Sequence, residues 1–197
     1  MNLRNNHDQW GAVAKFFHWS MALGILCNGI WGLVMVGMVP STTKTNIFTL
    51  HKSVGLTILA LFVLRLAWRM SEHAPPDEPM PNWQRRAAHT VHVLLYMLSA
   101  AIPISGWWLS SVAGKLPHWF FLFQVPTLTT KHTASTSFAI KVHEYLFFTL
   151  LSLLVLHVAA AVKHQLDGSK VLRRMLPFCR VREPDDISSR DPTDKAS

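Results

Sequence analysis

The chain has 197 residues, 50% of them hydrophobic and only 15% charged, with a mean hydropathy of +0.22. A soluble domain carries about a quarter charged residues, so this composition excludes an ordinary soluble enzyme and a disordered tail protein. It reads as one small membrane bundle, and the formal charge of +8 has to be placed before it says anything about partners.

Four apolar segments each approach the ~20 residues that cross a hydrocarbon core of about 30 Å. The first covers 15–39. It is too long for the apolar region of a cleavable signal and ends on no small-residue cleavage site, so it reads as a span. Pro40, Ser41, Thr42 and Thr43 close it, and the second segment covers 48–68. A loop with Pro75, Pro76 and Pro79 leads to the third, 88–112, in which Pro103 is expected to kink a helix that its neighbours can still satisfy. The polar stretch 117–137 follows. Within it HWFFLFQV (118–125) is too short to span and is expected along the outer interface, with Trp107, Trp108 and Trp119 as an aromatic belt. The fourth segment covers 139–163. Residues 177–197 are polar without apolar periodicity and read as a cytoplasmic tail, leaving 1–176 as the transmembrane domain. Cys27 lies in apolar sequence and Cys179 in the tail, so no disulfide framework is implied.

Open strand edges cannot satisfy their backbone in lipid. The expected fold is therefore an all-α membrane protein, a four-transmembrane-helix bundle. Placing the N-terminus, the 69–88 loop and the tail on one side collects every arginine there. The other side holds only Lys44, Lys52, Lys115, Lys131 and Lys141 of the 19 basic residues. The positive-inside rule then puts both termini in the cytoplasm. The positive excess is what topology requires, and no nucleic-acid partner is expected.

Ionisable groups inside spans are costly and point to function. Of eleven histidines, His18, His51, His143 and His157 lie well inside apolar sequence. The fourteen residues between His143 and His157 make nearly four turns, about 21 Å along one helix face. His18 stands near the cytoplasmic start of the first helix and His51 near the outer start of the second, about 24 Å apart in depth. Two pairs follow: His51 with His143 near the outer face, and His18 with His157 near the cytoplasmic face. A four-histidine zinc site would need all four at one depth, which the spacing forbids. Two axial imidazoles from different helices suit a haem iron, and filling both axial positions favours electron transfer over oxygen binding. Ala14, Ala22, Gly55 and Ala161, one helical turn from these ligands, leave room for a flat macrocycle.

These residues resemble the bacterial cytochrome b561 family of four-helix, di-haem membrane proteins. The similarity spans roughly 10–178 and rests on FFHW, HKSVGLTILALFVLRLAWR, AAHTVHVLLYMLSAAIPISGWW and KVHEYLFFTLLSLLVLHVAAAVKH. It implies two haem b groups on His18, His51, His143 and His157, and a multi-pass position in the bacterial inner membrane. It also implies ubiquinone or a related quinone as electron acceptor and superoxide as a candidate donor. His89 and His92 match the family's His-x-x-His pair at the third span; they support the inner haem's propionates, line a quinone pocket or reach for water. Arg65 is a propionate partner or a positive-inside anchor. Glu144 beside His143 orients a ligand or accepts a proton. Lys52 and Lys141, within two residues of the outer ligands, form a cationic funnel for a small anion. The reading is a superoxide:quinone-type oxidoreductase, or alternatively the haem-bearing membrane anchor of a larger dehydrogenase or hydrogenase with a redox partner protein.

Overall fold

The computed structural model describes residues 2–177; the tail expected beyond Pro177 lies outside the described residues. Four long helices carry the fold: α1 Ala12–Gly37, α2 Thr42–Ser71, α3 Asn82–Val112 and α4 Thr136–Leu166, followed by the short α5 Val171–Met175. All four long helices are long and apolar enough to cross a membrane. Each extends beyond its apolar core at one end or both, because a helix satisfies its own backbone in the headgroup region as well as in lipid. α3 runs unbroken through Pro103.

The ends show why the helices start and stop where they do. The first N–H groups of α1 donate to the Asn2 and Leu3 carbonyls, so the N-terminal segment caps the helix by folding back on it. Gly11 permits this close approach, since a Cβ there would collide with the Leu3 and Arg4 backbone. Ser41 caps α2 by accepting from the Lys44 N–H at 3.1 Å. Gly114 and Gly168, at φ +66° and +86°, turn the chain out of α3 and α4. Beyond α4 the Lys163 ammonium donates to Asp167 at 2.6 Å and holds that carboxyl below the usual carboxylate range.

Helices adjacent in sequence pack against one another, α1 on α2, α2 on α3 and α3 on α4. The polarity is that of a membrane bundle. Leu23, Val36, Val63 and Val155 face outward, while Ser53, Ser105, Ser110, Ser111 and Asn28 are buried. On the face holding the N-terminus, the α2–α3 loop is gathered in by ion pairs. Arg4 meets Glu72 at 3.4 Å, and Arg174 of α5 meets the largely buried Glu78 at 3.0 Å. Trp19 Nε1 donates to the Met175 carbonyl at 2.9 Å, tying α5 to α1.

At the opposite face the sequence reading expected residues 118–125 to lie along the interface and assigned them no secondary structure. The structure instead forms a two-stranded antiparallel hairpin, β1 His118–Trp119 with β2 Phe123–Gln124. Its turn places Phe120 and Phe121 at φ +45° and +63°, a region that bulky L-residues rarely adopt. α2 holds it there. The buried Ser53 hydroxyl accepts from the Phe120 N–H at 2.9 Å and lies within donating distance of the Thr49 and His118 carbonyls, at 2.7 and 2.8 Å. One turn deeper, Trp119 Nε1 donates to Thr57 Oγ1 at 3.1 Å. Tertiary hydrogen bonds override local preference, so periodicity carried no trace of the hairpin.

Removing the Ser53 hydroxyl leaves the Phe120 N–H buried without an acceptor. Ser53→Ala is expected to destabilise the protein by about 1–3 kcal/mol, read as a lower unfolding temperature in detergent, whereas Ser99→Ala, which removes only an intrahelical bond to Leu95, is expected to change it far less.

Candidate functional site

Each long helix carries two residues fourteen positions apart that meet the other helices: His18 and Gly32 on α1, His51 and Arg65 on α2, His92 and Gly106 on α3, His143 and His157 on α4. Fourteen residues bring the chain back to nearly the same helix face about 21 Å further on. Because successive helices run in opposite directions, the eight positions fall into two layers.

The layer away from the N-terminus, named outer after the expected topology, joins His51 and His143, whose ring centroids lie 6.3 Å apart with the planes crossed at 85°. Gly32 backs His51 and Gly106 backs His143. A Cβ at either glycine would come within 3.1 Å of the facing imidazole Cε1, so each ring rests directly on glycine backbone. Both rings are oriented through Nδ1. His51 Nδ1 lies 3.1 Å from the Asn28 carbonyl, which can only accept. His51 Nδ1 therefore carries the proton, and in the neutral ring its Nε2 keeps a free lone pair. His143 Nδ1 lies 2.8 Å from Ser105 Oγ, which also lies within donating distance of the Ile102 carbonyl at 2.7 Å. Asn28 is 8% exposed, and its side-chain Oδ1 has no hydrogen-bond partner among the described residues.

The inner layer joins His18 and His157, with centroids 6.5 Å apart. The outer layer has glycine on α1 and α3; the inner layer has a guanidinium on α2 and a third imidazole on α3. Arg65 Nη2 stands 3.2 Å from His18 Nδ1, with its guanidinium carbon 5.2 Å from the Tyr96 ring centroid. His92 brings its ring to 5.4 Å from that of His157.

The four histidines singled out from sequence thus meet in the two expected pairs, and Arg65 and His92 join the inner one. Arg65 contacts a histidine directly, a partner the sequence reading did not assign. His89 is exposed on α3. Lys52, half-buried beside the outer layer, donates from Nζ to the Lys115 carbonyl at 3.1 Å. Lys141 and Glu144 pair with each other at 2.8 Å on the surface. Of the small residues expected to frame the ligands, Gly55 lies beside the Asn28 amide, whose nitrogen is 3.7 Å from its would-be Cβ.

Sequence reasoning missed Gly32, Gly106, Asn28 and Ser105. A usable signal existed for the glycines: the fourteen-residue spacing noticed on the fourth helix recurs on the first three. Asn28 and Ser105 are ordinary polar residues in spans, and only packing reveals which rings they orient.

The fold and these pairs define a helical membrane protein with two imidazole sites stacked along its axis. Residues 9–178 match the family model described as prokaryotic cytochrome b561. Cytochrome b561 homolog 2 of Escherichia coli K12 is 32% identical over 183 residues, 89% of this chain and 95% of that protein. Homolog 1 of the same organism is 26% identical over 175 residues, 86% of this chain and 98% of its own length. A probable superoxide oxidase CybB of Yersinia pestis is 26% identical over 102 residues, 51% of this chain and 57% of that protein. The chain belongs to the prokaryotic cytochrome b561 family, multi-pass membrane haem proteins of electron transfer.

The glycine backing generates a direct test. Leucine at Gly32 or Gly106 drives its side chain into the facing imidazole, and less haem is expected to co-purify per chain. Leucine at Gly37, which has nothing within 4 Å of its would-be Cβ, is expected to leave the haem content unchanged.

Proposed function

We propose that the chain is a di-haem b-type cytochrome of the bacterial inner membrane that takes electrons at its outer face and delivers them to the quinone pool. In this reading His51 with His143 and His18 with His157 are the axial ligand pairs, and both termini are cytoplasmic. The single observation that carries it is the separation of the facing imidazoles. A metal–nitrogen bond of about 2 Å puts each ring centroid about 3 Å from the metal, so two rings on opposite sides of one iron stand about 6 Å apart. The two pairs, at 6.3 and 6.5 Å, fit. The free Nε2 lone pair of His51 and the glycine floor beneath both outer rings fit as well. Among the described residues no cluster of His, Cys, Asp and Glu suits a bare metal ion.

Bound haem supplies one-electron redox chemistry; the chain's own residues arrange it. Gly32 and Gly106 let the backbone approach the outer rings. Asn28 and Ser105 fix their tautomers, a device that also raises ligand basicity. Arg65 and His92 surround the inner pair on the side where quinone would be reduced.

Superoxide as donor is supported by the partial likeness to a protein named for superoxide oxidation and by the lysines of the outer face. The Lys52 ammonium is held beside the outer layer, whereas Glu144 offsets the charge of Lys141. An anion arriving from outside therefore meets Lys52 with Lys115 beside it, neither of them paired with a carboxylate among the described residues.

Two experiments test this. Pyridine-haemochrome analysis of the purified chain should give two b-type haems, with one lost in His18→Ala or His157→Ala and the other in His51→Ala or His143→Ala. A full haem complement in any of these variants overturns the ligand assignment. Superoxide-driven haem reduction should slow several-fold in Lys52→Gln with a weaker dependence on salt, and less in Lys141→Gln; unchanged rates in both remove superoxide steering. Stable co-purification of a soluble dehydrogenase or hydrogenase would favour the anchor-subunit reading.

A further inference from the structure

The two layers share a plan but are polarised in opposite senses. At the outer pair both rings give their Nδ1 protons to oxygen, His51 to the Asn28 carbonyl and His143 to Ser105 Oγ. A His143 held to iron through Nε2 keeps its proton on Nδ1, and the buried Ser105, within donating distance of the Ile102 carbonyl, then accepts it. A ligating imidazole that donates from Nδ1 is a stronger electron donor to the metal, which favours the oxidised state.

The inner pair has the reverse environment. The Arg65 guanidinium, always charged, stands 3.2 Å from the His18 ring and stacks over Tyr96. Among the described residues no carboxylate pairs with Arg65. A positive charge in a low-dielectric surrounding opposes the loss of an electron and favours the reduced state. In the outer layer α1 and α3 contribute glycine, and the cation beside it, Lys52, donates to the Lys115 carbonyl rather than to either ring.

We propose that Ser105 and Arg65 set unequal reduction potentials at the two ends of the bundle, lower at the His51–His143 pair and higher at the His18–His157 pair. A single electron shared between the ends then resides at the inner one, with no bond made or broken and one oxidation matched by one reduction. The inference rests on the four histidines being haem ligands. Ser105 acts through its hydrogen bond to His143, and Arg65 through its charge beside His18 rather than through a hydrogen bond, since a His18 bound through Nε2 carries its proton on the Nδ1 that now faces Arg65; both are positioning residues.

The test is a spectroscopic redox titration of the detergent-purified chain carrying its haem, with haem per chain measured on the same samples. The wild-type protein should titrate in two waves. In Ser105→Ala the lower wave should move up, by about tenfold in the one-electron equilibrium or about 59 mV, and Ser105→Thr should restore it. In Arg65→Gln the upper wave should move down by a similar amount, and Arg65→Lys should hold it near the wild-type position. If haem is lost from Ser105→Ala, Ser105→Cys keeps the volume with a weaker acceptor and should move the lower wave the same way by less. Two retained haems with both waves unmoved, or moved in the opposite directions, overturn the proposal while leaving the ligand assignment intact. Wild-type protein with fewer than two haems overturns the ligand reading, and this inference with it.

Discussion

Everything in this protein depends on imidazoles from separate helices meeting ring to ring at two depths. A helix advances 1.5 Å and turns about 100° per residue, so a slip of one residue between α4 and its neighbours would rotate a ring out of register. The fourteen-residue spacing solves this once and is used on all four helices. It returns to nearly the same face after four turns, and alternating helix direction then brings histidine opposite histidine at both ends. Glycine at Gly32 and Gly106 is what lets the outer rings lie against backbone.

Lipid inverts the usual arrangement of polarity. Leucine and valine cover the outside, and the small polar residues are inside, where each can serve a partner across a helix interface. Ser53 supports the outer hairpin, Ser105 orients His143, and the Asn28 backbone orients His51. Both faces of the bundle are closed by segments outside the long helices, one by the hairpin on α2, the other by the N-terminal segment, the α2–α3 loop and α5.

Much of this was legible in the sequence because membrane helices leave a strong apolar signature and histidine within it is conspicuous. The four helices and the pairing of His18 with His157 and of His51 with His143 follow from depth arithmetic alone. The family likeness reaches the same four positions. What stayed hidden depends on contacts between helices. Gly32 and Gly106 look like ordinary small residues until a ring is placed on them, and Arg65 looks like a membrane anchor until its guanidinium meets His18. The hairpin at His118–Gln124 is hidden for a different reason. It is held by Ser53 and Thr57, some sixty residues earlier in the chain, and no local pattern encodes such a bond.

The position of α4 carries one more consequence. It supplies one member of both pairs, His143 and His157, and is the last of the long helices to leave the ribosome. The first three helices can insert and pack on one another as they emerge, since each contacts its neighbour in sequence. Neither imidazole pair exists until α4 joins them. Biogenesis is thereby ordered: an incomplete chain in the membrane has neither pair of facing imidazoles, and both layers are completed only on a finished bundle.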